Sequence, residues 1–225
     1  MAGSYVRVPI PDSLSWNQDT ALIGTRGAIP LGHLGGLYGT PMKRIFLNLA
    51  IVDFLALIAC FAWGFVFDPS DRQDSAYMVH FHLGVWSTIA NLGVHCLIFI
   101  YFLGTGRWVK EVALAYELPD IPYPRLTRDL KRRTFPPALF AMLVPIATAA
   151  SGLGAQMREW PGWIHFALAI ATLLINLWAF GIEYRNVRIN GEVIDAVLRE
   201  VERIRAEHGL PTNAEALEQE SRSAK

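Results

Sequence analysis

The sequence predicts an all-α integral membrane protein: a bundle of four transmembrane helices, with both termini on one side and a cytoplasmic amphipathic C-terminal helix. Three observations predict it. Four apolar stretches each reach the roughly 20 residues that a bilayer span requires. Between them they hold one charged residue, Asp53. The Lys and Arg residues gather on one side of the four stretches.

The spans are read as 45–67 (IFLNLAIVDFLALIACFAWGFVF), 81–103, 136–156 and 163–182. A soluble core helix of comparable length would carry a charged face, and these do not. Hydrophobic residues make up 52% of the 225, and formal charge sums to zero, so no bulk attraction to nucleic acid is implied. The partner that such a composition demands is the lipid bilayer.

Orientation follows from the connections. Four Lys and Arg residues precede the first span, seven lie between the second and third, and seven follow the fourth. Only Arg72 and Arg158 occupy the other two connections. The positive side is ordinarily cytoplasmic, so both termini are expected there, as in a bacterial inner membrane. Trp63, Trp86, Trp160 and Trp163 fall toward the opposite interface, as an aromatic belt would.

Outside the bilayer, residues 1–44 form a cytoplasmic-side segment rich in Gly and Pro yet apolar. It shows no signal-peptide pattern, and its His33 reads as a surface histidine. The connection 104–135 begins TGRWVKEVALAYELPD, with Trp108, Val112 and Tyr116 on one helical face, which suits an interfacial helix continuing the second span. The prolines of IPYPRLTRDLKRRTFPP are expected to preclude a long helix after it. Residues 125–133 hold Arg125, Arg128, Lys131, Arg132 and Arg133. They are suited to anionic lipid headgroups at about 1 kcal/mol each, or simply set the topology. In the tail, 183–225, Ile194, Val197, Leu198, Val201 and Ile204 form an amphipathic stripe closed by Gly209 and Pro211. That stripe needs a partner: the amino-terminal segment, a second copy through 190–208, or other membrane subunits. Thr212 to Glu215 has capping-box spacing.

Polar residues inside the spans fall in two layers. Asp53, His95 and Asn176, from three helices, share a depth within ~5 Å of the midplane at 1.5 Å rise per residue. An ionised Asp there is costly, so it is expected protonated or paired, with His95 as natural partner. Such a cluster serves as a staple between helices or as a proton or ion pathway. His80, His82 and His165 form the outer layer, and His82 lies within ~4 Å of the depth of His165. Polar lanes run along span two (His80, Ser87, Thr88, Asn91, His95) and span four (His165, Thr172, Asn176, Glu183). Two imidazoles on facing helices are what the iron of a six-coordinate haem b takes. His82 and His165 would be the metal ligands, with His80 as substitute. Half-wet interfacial histidines without any ligand are the plainer reading. The two cysteines, Cys60 and Cys96, read as small buried hydrophobes.

Three functions are compatible with this pattern: a haem b-binding subunit in membrane electron transfer, a non-catalytic structural or assembly subunit of a larger membrane complex, and a proton or ion pathway through Asp53, His95 and Asn176. No phosphate-cradling loop, nucleophile elbow or HExxH names a reaction. The topology is open to direct test. Cysteines placed at Asp74 and Glu159 are expected to react from outside sealed cells with an impermeant reagent, and one placed at Ala214 is not. Labelling of Ala214 from outside would reverse the assignment.

Overall fold

A computed structural model describes residues 40–66, 75–120, 122–213, 215, 216 and 222. The Gly/Pro-rich segment as far as residue 39, including His33, lies outside the described residues, as does Asp74. Helix α1 spans Thr40–Trp63, α2 Ser75–Ala115, α3 Tyr123–Gln156 and α4 Gly162–Glu207; among the described residues there is no strand. All four are long and apolar enough to cross a membrane. At 1.5 Å per residue, the 41 residues of α2 and 46 of α4 extend about 62 and 69 Å, twice the hydrocarbon thickness.

α2 and α4 outrun the predicted spans because their stop signals lie further along the chain, and α3 does so because it begins at Tyr123; α1 stops at Trp63, inside its predicted span. Three end in the same way. Leu118 N–H donates to the Ala113 carbonyl at 2.8 Å, Glu159 to Gly154 at 3.1 Å, and Leu210 to Arg205 at 2.9 Å. Each bond closes over one left-handed residue: Glu117 (φ 53°), Arg158 (φ 63°) and Gly209 (φ 64°). Only Gly209 advertises that conformation in the sequence; Glu117 and Arg158 adopt it without glycine's freedom. Beyond α4, Thr212 N–H donates to Glu215 Oε2 at 2.8 Å and Glu215 N–H to Thr212 Oγ1 at 3.3 Å, the reciprocal pair of a capping box. These bonds hold the Glu215 carboxyl below its ordinary range.

Residues 122–135 do not interrupt helix formation as their prolines led us to expect. Pro136, Pro137 and Pro145 all lie inside the 34-residue α3. Pro124 sits in its first turn, where a missing N–H is no loss. Pro136 and Pro137 free the carbonyls of Arg132 and Arg133, two exposed residues. Pro145 frees the Ala141 carbonyl inside the bundle, and a neighbouring helix supplies the substitute donor, described below. Membrane helices tolerate proline on just that condition.

The described chain forms two compact units. One comprises Lys43–Tyr101 and Lys131–Val187. Its surface is apolar: Val52, Leu55, Ile100, Phe140, Leu174 and Trp178 are all exposed, while Asp53, Asn91, His95, Asn176 and Glu183 are buried. That inversion of the soluble pattern is what a lipid environment requires. The small face of α3 packs inward through Ala138, Ala141 and Pro145. Cys60 is half-buried, and Cys96, expected inside, is exposed on the outer face of α2.

The other unit includes Phe102–Leu130 and Arg188–Lys225. Its core joins Val109, Val112, Ala113, Leu118 and Tyr123 to Val193, Ile194, Val197 and Val201. Trp108, Val112 and Tyr116, expected at a lipid interface, pack against the apolar side chains of α4. Arg205, 5% exposed, ties the end of α4 in place: its Nε donates to the Pro211 carbonyl at 2.8 Å and its Nη1 to Tyr116 Oη at 3.1 Å. Arg125, Arg128, Arg132 and Arg133 are exposed along α3.

Ile194 is 1% exposed in this core. Ile194→Ala is expected to destabilise by about 2–5 kcal/mol, while Leu210→Ala, at an exposed position, stays within about 0.5 kcal/mol. Thermal unfolding in detergent followed by circular dichroism checks both.

Candidate functional site

The functional candidates of the first unit are ordered from the backbone of α3 outward. Asn176 Nδ2 donates to the Thr172 carbonyl at 2.9 Å, one turn back on α4, and to the Ala141 carbonyl at 3.4 Å on α3. Ala141 is the carbonyl that Pro145 leaves without its helical N–H. Both partners only accept, so the amide nitrogen of Asn176 must face them and its oxygen must face the other way.

That oxygen collects two donors from α2. Asn91 Nδ2 reaches Asn176 Oδ1 at 2.7 Å, and His95 Nε2–H donates to it at 3.0 Å. The Asn91 amide nitrogen spends its second hydrogen on Asp53 Oδ2 of α1, at 2.9 Å. His95 Nε2 is thereby fixed as a donor, which leaves Nδ1 as the variable atom. Glu183 Oε1 of α4 lies 2.7 Å from it. His95 and Glu183 are both 0% exposed. The Phe180 ring stacks on the imidazole at 5.0 Å and 9°, with Phe46 edge-on behind it at 6.3 Å.

The arrangement joins Asp53, Asn91, Asn176, His95 and Glu183 through all four helices. Asp53, His95 and Asn176, which the sequence placed at one depth, lie in one network. Asp53 does not bond His95 directly, however. Asn91, one turn earlier on α2, stands between them, and Glu183 takes the imidazole. The i, i+4 run Ser87–Asn91–His95 and the lane Asn176–Glu183 were the signals for both. Three oxygens in this network find no partner: Asp53 Oδ1, Asn91 Oδ1 and Glu183 Oε2. Flanking bonds repeat the theme. Thr148 and Thr172 hydroxyls meet at 2.7 Å, and Asn186 Nδ2 donates to Thr134 Oγ1 at 2.8 Å.

The histidines of the outer layer separate by helical phase. His82 is exposed, with Nδ1 on the Met78 carbonyl of its own helix at 2.7 Å. It does not face His165, because two residues rotate a helix by about 200°. His80 does: the two ring centroids are 6.2 Å apart and perpendicular. His165 Nδ1 lies 3.0 Å from the Thr148 carbonyl and 3.2 Å from Ser151 Oγ. A Cβ on Gly152 would meet His165 Cε1 at 2.9 Å, so only glycine lets this ring approach α3 so closely. Among the described residues no group of three His, Cys, Asp or Glu side chains is placed to hold a metal.

No protein-family model, curated protein or solved structure matches this chain.

Replacing Asn176 by Leu keeps its bulk and removes its hydrogen bonds. The donors of Asn91 and His95 are then buried without this acceptor, at about 1–3 kcal/mol each. Asn176→Leu is therefore expected to lower the unfolding temperature strongly, while Cys96→Ala, on the exposed face, leaves it nearly unchanged. Equal unfolding temperatures for the two variants in detergent would dismiss the network as a source of stability.

Proposed function

We propose that this integral membrane protein, with both termini on the cytoplasmic side, works by taking up and releasing a proton at the buried His95–Glu183 pair. The observation that carries the reading is the 2.7 Å contact between His95 Nδ1 and Glu183 Oε1, both side chains wholly buried. One proton lies between these atoms in either of two arrangements of equal charge. It sits on the carboxyl and is donated to a neutral imidazole, or on Nδ1 and is donated to a carboxylate. Gain or loss of one further proton changes the charge of the pair by one unit.

The rest of the network supports that exchange rather than performing it. Asn176 Oδ1 holds Nε2–H and so confines the titration to Nδ1. The face of Phe180 favours the imidazolium when it forms. An amide does not readily pass a proton along, so Asn91 and Asn176 orient the groups on either side of them. The reading is a proton site, not a wire through the amides.

Nitrogen-15 chemical shifts of His95 test it. Across about pH 5 to pH 8, Nδ1 is expected to change protonation while Nε2 stays protonated. Glu183→Gln should displace that change along the pH axis, because the imidazolium loses its anionic partner. An Nδ1 signal that holds constant over the whole range in the native protein would refute the proposal.

A second reading is favoured by one observation, the perpendicular rings of His80 and His165 on α2 and α4. These are the two donors that would hold a haem b, with Thr148 orienting His165 through its Nδ1. Haem, when bound, supplies one-electron transfer. The purified protein would then show a Soret band that His80→Ala and His165→Ala each alter and His82→Ala does not. A colourless preparation from haem-replete cells would exclude it.

A further inference from the structure

The unpartnered oxygens of Asp53 and Asn91, two side chains bonded to each other, call for a ligand of definite chemistry. Every one of them is an acceptor. Asn91 cannot turn its oxygen toward a donor within the network, because its nitrogen is held by Asn176 Oδ1 and Asp53 Oδ2. The orientation of Asn176 is in turn held by two backbone carbonyls. The chain that sets the amides thus leaves Asn91 Oδ1 and Asp53 Oδ1 bare, on side chains 0% and 3% exposed.

Charge points the same way. The titratable groups of the network are Asp53 on α1, His95 on α2 and Glu183 on α4, while α3 contributes the Ala141 carbonyl. With one proton shared, His95 and Glu183 sum to zero wherever that proton sits. Asp53 then leaves one negative charge without compensation inside a bilayer, where unpaired charge is expensive. What is missing is one unit of positive charge offered to oxygen atoms.

We infer that Asp53 and Asn91 form a binding site for a single monovalent cation, a proton or a sodium ion. Carboxylate and amide oxygens are the hard donors that a sodium ion takes, and a carboxylate also accepts a proton. The inference rests on the network described above but not on proton exchange at His95. A constant His95 Nδ1 signal would leave this site standing.

The test uses the full-length protein in detergent, with sodium chloride exchanged for choline chloride at constant ionic strength. Thermal unfolding is measured at about pH 6 and pH 8, and infrared spectra record the carbonyl stretch of protonated carboxylic acids. If sodium is the occupant, it raises the unfolding temperature saturably. Its half-saturating concentration then moves by up to about tenfold per pH unit, as one-for-one competition with a proton demands. The effect disappears in Asp53→Asn. If a proton is the occupant, sodium has no effect, and a carboxylic-acid band persists at both pH values and is lost in Asp53→Asn. Native protein showing neither a sodium effect nor such a band overturns the inference, and that result needs no variant to fold. A sodium effect that survives in Asp53→Asn overturns it as well.

Discussion

One missing hydrogen orders the interior of this protein. Pro145 has no N–H to give the Ala141 carbonyl, and in a bilayer no water replaces it. Asn176 of α4 does so instead. That bond and the shorter one to the Thr172 carbonyl fix which way its amide faces, and the choice propagates outward. The Asn176 oxygen selects the nitrogen of Asn91 and the Nε2–H of His95, leaving Nδ1 to Glu183 and the second Asn91 hydrogen to Asp53. A proline that reads as a defect in α3 is thereby the anchor of a network that reaches all four helices.

The two units meet the same requirement, satisfied polar groups and covered apolar ones, in opposite ways. In the first the side chains facing outward are apolar, and hydrogen bonds are concentrated inside, where each lost partner is costly. In the second an ordinary apolar core of α2 and α4 side chains is covered by its own helices, and Arg205 closes the end of α4 with bonds to Pro211 and Tyr116. Asn186 and Asn190, one turn apart on α4, find hydroxyl partners in Thr134 and Thr105.

The histidines show how strictly helical phase governs chemistry. His80 and His82 differ in depth by about 3 Å, which makes them near equals as partners of His165 by depth alone. Their 200° of separation does not: one ring meets His165 and the other turns outward onto its own helix. Glycine at 152 then brings His165 against α3, where Thr148 and Ser151 hold it.

Segment-local rules gave the four apolar helices and the capping box at Thr212. Each follows from periodicity, length or local chemistry, which are properties of a single segment. The sequence by itself did not determine where α2 stops, because Glu117 takes a left-handed conformation that its side chain does not announce. Nor did it determine that α3 runs through its prolines, since that depends on donors from another helix. The tertiary structure alone decided that Asn91 separates Asp53 from His95 and that His80 rather than His82 meets His165. Contacts between helices depend on rotation and on the direction of each amide. The second is set here by the Thr172 and Ala141 carbonyls that hold the Asn176 nitrogen, the latter from a residue 35 positions away.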